Sequence, residues 1–276
     1  MADFATLPGG LYFGSDRGEL VNADADIPGS FDNLILGFGG ADTIFAGLGN
    51  DFAAAGQGND WVFGQDGTDT LYGDHGNDTL NGGNGSDVVL GGDGNDALAG
   101  ELGDDRLGGG SGNDVIAGAG GRDALEGDDG NDTLDAGTED DRAGGGDGND
   151  LVLGGDGNDQ IVGDAGNDTL SGGNGNDALD GGAGRDDLAG GAGGDVFHFE
   201  SGFGRDVVLD FRRGEDIVEI DSNINGTGIT KASQLASHIS GDKTGAVITL
   251  GGDQIKLVGV SATDLIGNLD AYVKIV

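Results

Sequence analysis

From Gly37 to His198 the chain repeats every nine residues as Gly-Gly-x-Gly-x-Asp-x-U-x, where U is apolar, and the register never slips. The units Gly82–Leu90 and Gly172–Asp180 show the pattern in full. A period this short, held over about eighteen units, dictates a solenoid, because one nonapeptide cannot bury an apolar face without neighbours to lean on. The sixth position is aspartate in every unit: Asp42, Asp51, Asp60, Asp69, Asp78, Asp87, Asp96, Asp105, Asp114, Asp123, Asp132, Asp141, Asp150, Asp159, Asp168, Asp177, Asp186 and Asp195. The fourth is glycine except at Glu139, and the eighth is aliphatic or Phe except at Ala53 and Ala143.

Each class has its own physical cause. Glycines at fixed turn positions supply backbone conformations with φ > 0 and let carbonyl oxygens crowd around an ion. The x-U-x segment suits a three-residue strand whose central side chain points inward. A lone aspartate in a turn is ordinarily a solvated turn former, but aspartates stacked in register in adjacent turns repel one another unless a counter-ion lies among them. Calcium is the natural choice, since it takes six to eight oxygen ligands in irregular geometry. Magnesium demands a near-ideal octahedron, and zinc wants nitrogen or sulfur ligands. The in-register aspartates are therefore the candidate metal ligands.

Composition agrees. With 64 glycines, 51 acidic residues and a formal net charge of −39, the chain cannot form an ordinary globular core. Glycine entropy and self-repulsion would leave it disordered unless something neutralises it. A polyanion is repelled by nucleic acid, and by anionic membrane unless multivalent cations bridge the two. There is no cysteine, hence no disulfide and no thiolate metal site. Met1 to Ala5 lacks the basic start and apolar run of a cleaved signal peptide, and no stretch is long and apolar enough to span a bilayer. Between Gly37 and His198 lie 34 acidic residues, four arginines and no lysine, so 34 − 4 leaves −30.

The nonapeptide array resembles the RTX (repeats-in-toxin) family. The resemblance implies an all-β fold, a right-handed parallel β-roll in which two nonapeptides make one turn. Each calcium would sit between glycine-rich loops stacked on one edge, bound by aspartate carboxylates and backbone carbonyls. About eighteen units then give roughly nine turns, about 43 Å of roll at ~4.8 Å per strand. With about eight gaps on each edge, the roll would hold roughly sixteen calcium ions. Their charge of about +32 nearly balances the array. One weak point is predicted: the unit Ala136–Gly144 loses its fourth glycine to Glu139 and its apolar plug to Ala143 together, which predicts a frayed turn and weakened or missing sites beside it. The unit Gly100–Gly108 shows milder drift, with Glu101, Asp104 and Arg106.

A solenoid needs caps, and the sequence divides into an N-terminal cap (1–36), the roll (37–198) and a C-terminal cap (199–276). In the C-terminal cap, Val196–Phe199, Asp206–Phe211 and Asp216–Ile220 read as strands. Lys231–Ser240 reads as a short helix with Leu235 and Ile239 on one face, Ala246–Leu250 and Gln254–Val258 as a hairpin, and Ala262–Gly267 as a second short helix. The stretch from Gly204 to Val218 resembles the segment after the roll in RTX proteases and lipases, and Leu257–Val273 resembles their C-terminal region. That likeness implies an uncleaved signal for the type I secretion machinery and a secreted, extracellular protein. Asp206, Asp210 and Asp216 could hold one further ion or serve as turn and edge carboxylates. At the other end, Phe31–Leu36 reads as a degenerate repeat with Ile35 at the plug, and Leu7, Leu11, Tyr12 and Phe13 as an apolar cap. Outward positions of the first repeats are aromatic (Phe45, Phe52, Trp61, Phe63, Tyr72), either a partner or glycan surface or a face covered by the N-terminal segment.

No catalytic site is expected. His75, His198 and His238 are scattered, there is no His-Glu-x-x-His and no Gly-x-Ser-x-Gly, and the 36 residues before the array are too few to enclose an active site. Carboxylates engaged with calcium are poor general acids, and His75 reads as a surface histidine. Two functions follow: a non-catalytic secreted calcium-binding protein with a structural, adhesive or matrix role, or an accessory module of an extracellular enzyme, one that stabilises it or binds cell-surface or matrix polysaccharide, or a module cut from a longer chain. Met1 favours a complete chain.

Overall fold

A computed structural model describes residues 10–23, 32–241 and 244–276; Leu7 and Phe31 lie outside the described residues. The chain divides into two compact units, Met1–Arg142 and Ala143–Val276.

In the first unit alternate repeats go to alternate sheets. One sheet stacks Leu34–Leu36, Phe52–Gln57, Thr70–His75, Val88–Asp93, Arg106–Ser111 and Ala124–Asp129 in parallel. The other stacks Thr43–Leu48, Trp61–Asp66, Thr79–Asn84, Ala97–Leu102, Val115–Gly120 and Thr133–Thr138. Partners are eighteen residues apart, as in Ile44↔Val62 and Leu71↔Val89, so two nonapeptides make one turn of a parallel β-roll. Leu11–Phe13 pairs with Leu34–Leu36 and Leu20–Asn22 with Thr43–Leu48. Tyr12 is thereby buried, its hydroxyl donating to the Ala23 carbonyl at 2.9 Å. Ile35 is fully buried at its plug position.

From Thr43–Leu48 to Thr133–Thr138 the repeat strands are six residues long rather than three. They run through x-U-x into the next unit's first three positions, because those pair across the sheet as well. Phe45↔Phe63 is followed by Gly47↔Gln65 and Leu48↔Asp66, while Ala46, at position one, has no cross-strand partner in the register and points inward. Every eighth-position plug is buried, the two alanines Ala53 and Ala143 included. Successive side chains alternate between core and surface as pleating requires.

The turn around Glu139 is not frayed, contrary to the sequence expectation. Thr133–Thr138 keeps its six residues in register with Val115–Gly120. Glu139 itself adopts φ 78°, and its carboxylate accepts from the Gly121 N–H at 3.0 Å and from the Thr138 hydroxyl at 2.7 Å. Those bonds offset the strain of a left-handed non-glycine residue.

The second unit continues the same construction through Leu151–Asp156, Thr169–Asn174 and Asp187–Ala192 on one sheet, and Gln160–Gly166, Ala178–Asp180 and Val196–Phe199 on the other. Arg205–Val208 then stacks on Asp187–Ala192, and Ile217–Ile220 on Val196–Phe199. The antiparallel hairpin Gly245–Leu250/Asp253–Val258 adds to the first sheet through Arg205–Val208. Val273–Ile275 adds to the second. Bulkier plugs close this end: Phe197, Phe199 and Phe203 are buried, Phe199 and Phe203 meeting edge-to-face at 5.1 Å. Phe211 packs on Tyr272 at 5.9 Å. Ala262–Gly267 is helical as expected, capped by Ser261, and a further short helix spans Leu269–Tyr272.

The helix expected over Lys231–Ser240 is shorter and tighter, a 3₁₀ segment over Ala232–His238. Leu235 is buried, but Ile239 leaves the helix for a strand paired with Ile248. The Ser- and His-containing segment has weak helix propensity, and its first turn is held from outside, by the Gln234 side chain accepting from the Thr230 N–H at 2.8 Å.

Candidate metal centre

All eighteen repeat aspartates are buried, with at most 3% of their surface exposed. Each follows the glycine-rich loop at the edge of the roll, and each is stacked on the aspartate two repeats away. On one edge of the first unit the Asp42 N–H donates to Asp60 Oδ1 at 2.7 Å, Asp60 to Asp78 at 2.8 Å, Asp78 to Asp96 at 2.8 Å, Asp96 to Asp114 at 2.7 Å and Asp114 to Asp132 at 2.7 Å. Asp51, Asp69, Asp87, Asp105, Asp123 and Asp141 form the same ladder on the other edge. In the second unit Asp150, Asp168 and Asp186 are linked in this way, as are Asp159, Asp177 and Asp195. The aspartate carbonyl completes the rung, as when Asp42 O accepts from the Trp61 N–H at 2.9 Å.

One carboxylate oxygen is thus engaged at every rung. The other, Oδ2, is buried without a hydrogen-bond partner at Asp42, Asp60, Asp69, Asp78, Asp87, Asp96, Asp105, Asp114, Asp123, Asp168, Asp177, Asp186 and Asp195. An orphaned buried carboxylate oxygen is costly, and a repeated one calls for an explanation. Burial, reinforced by neighbouring aspartates, pushes Asp69, Asp78 and Asp168 up to about 7 and Asp96, Asp105 and Asp177 up to about 6. In each the rung hydrogen bond from the backbone pulls the other way and loses.

Two glycine positions make the room. A methyl group built on Gly64, at position one, would strike both Asp69 Oδ2 and the Gly82 carbonyl oxygen of the next loop. The same holds at Gly73 for Asp78 and Gly91, and at Gly154 for Asp159 and Gly172. A carboxylate oxygen and a carbonyl oxygen from successive loops therefore converge on one small space. At position four, Gly76 (φ 130°) lies against the Gly58 carbonyl and Gly94 (φ 144°) against that of Gly76, so successive loops touch backbone to backbone. Position two also has φ > 0 but tolerates side chains: Phe38, Gln65, Asp74, Glu101, Ala119, Asp128 and Asp164 all lie between φ 66° and 81°.

Among the described residues no three His, Asp or Glu side chains gather as a metal cluster. An ion at these edges would draw its remaining ligands from loop carbonyls, an all-oxygen set that fits calcium and excludes zinc. The residues present fit the group: the repeat aspartates would supply carboxylates and the glycine loops carbonyls.

A family model for the RTX calcium-binding nonapeptide repeat matches the chain in overlapping segments that together span residues 29–208. The chain belongs to that family. No curated protein matches it. Among solved structures it resembles the extracellular lipase LipA from Serratia marcescens at 22% identity and TM-score 0.41, over 82% of this chain and 45% of the lipase, so it spans less than half of that enzyme's length. A hyperactive, Ca²⁺-dependent, β-helical antifreeze protein from an Antarctic bacterium aligns at 22% identity and TM-score 0.37, over 75% of this chain and 84% of that one. The AlgE6R3 subunit of the Azotobacter vinelandii mannuronan C5-epimerase aligns at 33% identity and TM-score 0.25, over 50% and 78% respectively.

Two features of the RTX roll escape a reading based on the consensus alone. Position five, treated as arbitrary, is asparagine on one edge from Asn59 to Asn131, and each side-chain oxygen accepts the next N–H (Asn77 to Asn59 at 3.0 Å, Asn95 to Asn77 at 2.8 Å). Its recurrence at eighteen-residue spacing was the available signal. His198 sits between two carboxylates, Nδ1 at 2.9 Å from Asp180 and Nε2 at 3.3 Å from Asp221. The Asp180 partner follows the eighteen-residue spacing of the array, whereas Asp221 reaches it only through the pairing of the cap strand. His75 is exposed, as read, with Nδ1 2.8 Å from Asp93.

Proposed function

We propose that this RTX chain is a secreted protein whose roll folds when it meets calcium outside the cell, and that it serves a structural, adhesive or matrix role rather than a catalytic one. The observation that carries the reading is the ladder of buried aspartates with partnerless Oδ2 atoms facing loop carbonyls. Burying so many carboxylates without cations is untenable. Residues 37–198 form the calcium-binding roll in this reading, 1–36 and 199–276 its caps, with an export signal for type I secretion in the last segment. In a cytoplasm poor in free calcium the repeats stay unfolded and fit for export. Outside, millimolar calcium loads sites of the weak extracellular class, ~10⁻⁴–10⁻³ M, and binding only the folded form stabilises it by mass action.

Calcium titration by equilibrium dialysis tests the reading. The expected result is cooperative uptake of roughly sixteen ions, one for each gap between stacked loops. A few independent ions, or none, would refute it. Removing about the last 60 residues should abolish export through a type I system; export unchanged would remove the signal from the account.

A second reading, binding of polysaccharide, rests on the aromatic side chains of one sheet of the first unit. Trp61 is 55% exposed, and Phe45 stacks on Phe63 at 4.9 Å beside Trp61. Such rings suit the apolar faces of sugars. Neutral glycans and polyuronates, assayed with and without calcium, separate the two readings. Micromolar binding lost in Trp61→Ala would favour the second.

A further inference from the structure

The outer face of one sheet in the first unit is set apart by what it lacks. On its strands, from Leu20–Asn22 to Thr133–Thr138, the side chains at positions seven and nine flank the buried plug and point away from the core. They form two files across the sheet. One runs through Thr43↔Trp61↔Thr79 and the other through Phe45↔Phe63↔Asn81. Neither file holds a charged residue before Asp135, at its far end. The outer face of the other sheet has Arg106 and Glu126 at the same positions. In a chain of net charge −39, the uncharged face is where a second protein surface can approach without meeting like charge. It is also open, with Trp61 and Val115 each 55% exposed.

Bulk is distributed unevenly along this face. The Trp61–Asp66 strand raises two rings, and Phe63 stacks on Phe45 of the strand before it at 4.9 Å. The Ala97–Leu102 strand raises only the methyl groups of Ala97 and Ala99. The Thr79–Asn84 strand lies midway between them. A two-fold axis laid along that middle strand turns the face onto itself with rings opposite hollows. Trp61 and Phe63 of one copy then meet Ala97 and Ala99 of the other, and Phe45 meets Ala117. Such a self-complementary patch is what a closed dimer requires.

The same rotation disposes of the few charges. Glu101 lies beside the two files, at position two, and accepts from Asn81 Nδ2 at 2.9 Å. Across the axis it meets Gln65, and Asp135 meets Asn22, so each carboxylate faces an amide donor rather than another carboxylate. Moving the axis half a step, to lie between Thr79–Asn84 and Ala97–Leu102, would set Phe45 against Asp135. Six strands about 4.8 Å apart, each six residues long at ~3.3 Å per residue, present roughly 500–600 Å² per copy. Two copies together reach about 1,000 Å², where specific interfaces begin.

We propose that the folded chain forms a two-fold dimer through this face, with the Thr79–Asn84 strands of the two copies lying along the axis. The inference asks of the calcium reading only that the roll be folded. It assigns the exposed rings to a second copy of the chain rather than to a glycan.

Sedimentation of the full chain in millimolar calcium, with circular dichroism on the same samples, tests the dimer. Wild type should sediment as a dimer whose share rises with protein concentration. Ala97 is exposed, so Ala97→Trp leaves the core of the roll untouched but fills the hollow that receives Trp61. Its dimer dissociation constant should rise about ten-fold or more. Combining Trp61→Ala with Ala97→Trp exchanges ring and hollow and should restore the dimer, which a face built for sugar would not do. A chain that gives a β spectrum yet stays monomeric overturns the proposal and leaves the calcium reading intact. A dimer indifferent to Ala97→Trp also overturns it, by placing the contact elsewhere. A monomer that binds neutral glycan through Trp61 gives the face to polysaccharide and overturns the dimer. A dimer with the same β spectrum in excess chelator upholds the proposal and removes the calcium reading alone.

Discussion

A single repeat aspartate carries two jobs on its two oxygens: Oδ1 ties its loop to the preceding turn, and Oδ2 faces the space where carbonyls converge. Asp114 is typical, accepting from the Asp96 N–H at 2.7 Å while its own N–H donates to Asp132. Asp114→Ala should lower calcium stoichiometry and flatten the cooperativity of binding, because the sites on both sides of its loop lose a ligand; dialysis curves identical to wild type would count against stacked sites. Glycine at position four is equally constrained. Gly76→Ala would place a methyl group on the Gly58 carbonyl at a backbone conformation of φ 130°. A loss of at least about 1–3 kcal/mol is expected in urea unfolding at saturating calcium. The same aspartates predict proton linkage. In the ion-free fold, burial and neighbouring charges raise Asp69, Asp78 and Asp168 from 3.8 to about 7. Between those two values the folded chain holds more protons than the unfolded one, so ion-free stability falls as pH rises through this window. Raising pH therefore works against the ion-free fold, in line with a chain that stays unfolded at neutral pH without calcium.

At the level of strands and loops, the last turns of the second unit are tied to the cap by charge as well as by pairing. The register Asp180↔His198↔Glu219↔Lys274 lays a file of alternating charge across successive strands, with Lys274 Nζ 3.1 Å from Glu219 and Asp221 on the far side of the imidazole. Burial lowers the His198 pKa, but the hydrogen bonds and charges of Asp180 and Asp221 outweigh it and the net shift is upward. A histidine raised in the fold contributes stability that is fully present below its unfolded value of about 6.5 and is lost as pH rises through the folded value. His198→Gln should remove this component, seen as a flatter dependence of unfolding free energy on pH between about 6 and 8 at saturating calcium; an unchanged profile would mean the pair is inert. The roll was legible in the sequence because each residue type in the period answers to a local rule. The plug at Ile44, the loop glycine at Gly76 and the rung at Asp114 all follow from position in the repeat. Strand length was not legible, since Gly47 and Leu48 pair only because the neighbouring turn presents Gln65 and Asp66. Asp206 and Asp216 were picked out as an ion site or edge carboxylates, and their Asp-x-U pattern survives in Asp206-Val207-Val208 and Asp216-Ile217-Val218, but the longer loops before them break the period that would have shown them as further rungs of the ladder. The Glu139 turn was misjudged for a related reason: the rescue comes from the Glu139 side chain itself, which the consensus treats only as a missing glycine.

For the whole chain the governing quantity is charge. A net −39 at pH 7, concentrated in a segment with 34 acidic residues and four arginines, opposes any compact state until cations are supplied. Repeat solenoids fold by nearest-neighbour coupling. Here the coupling between turns is carried by the same aspartates that carry the charge, so on the proposed reading calcium binding and folding become one transition. The position of that transition should depend on calcium far more steeply than on ionic strength, because monovalent salt screens charge without ligating Oδ2. The most direct test is far-UV circular dichroism of the full chain in excess chelator and again after addition of millimolar calcium at constant ionic strength. The account predicts a disordered spectrum that converts cooperatively to a β spectrum as calcium is added. A β spectrum of the same strength in both conditions would contradict it.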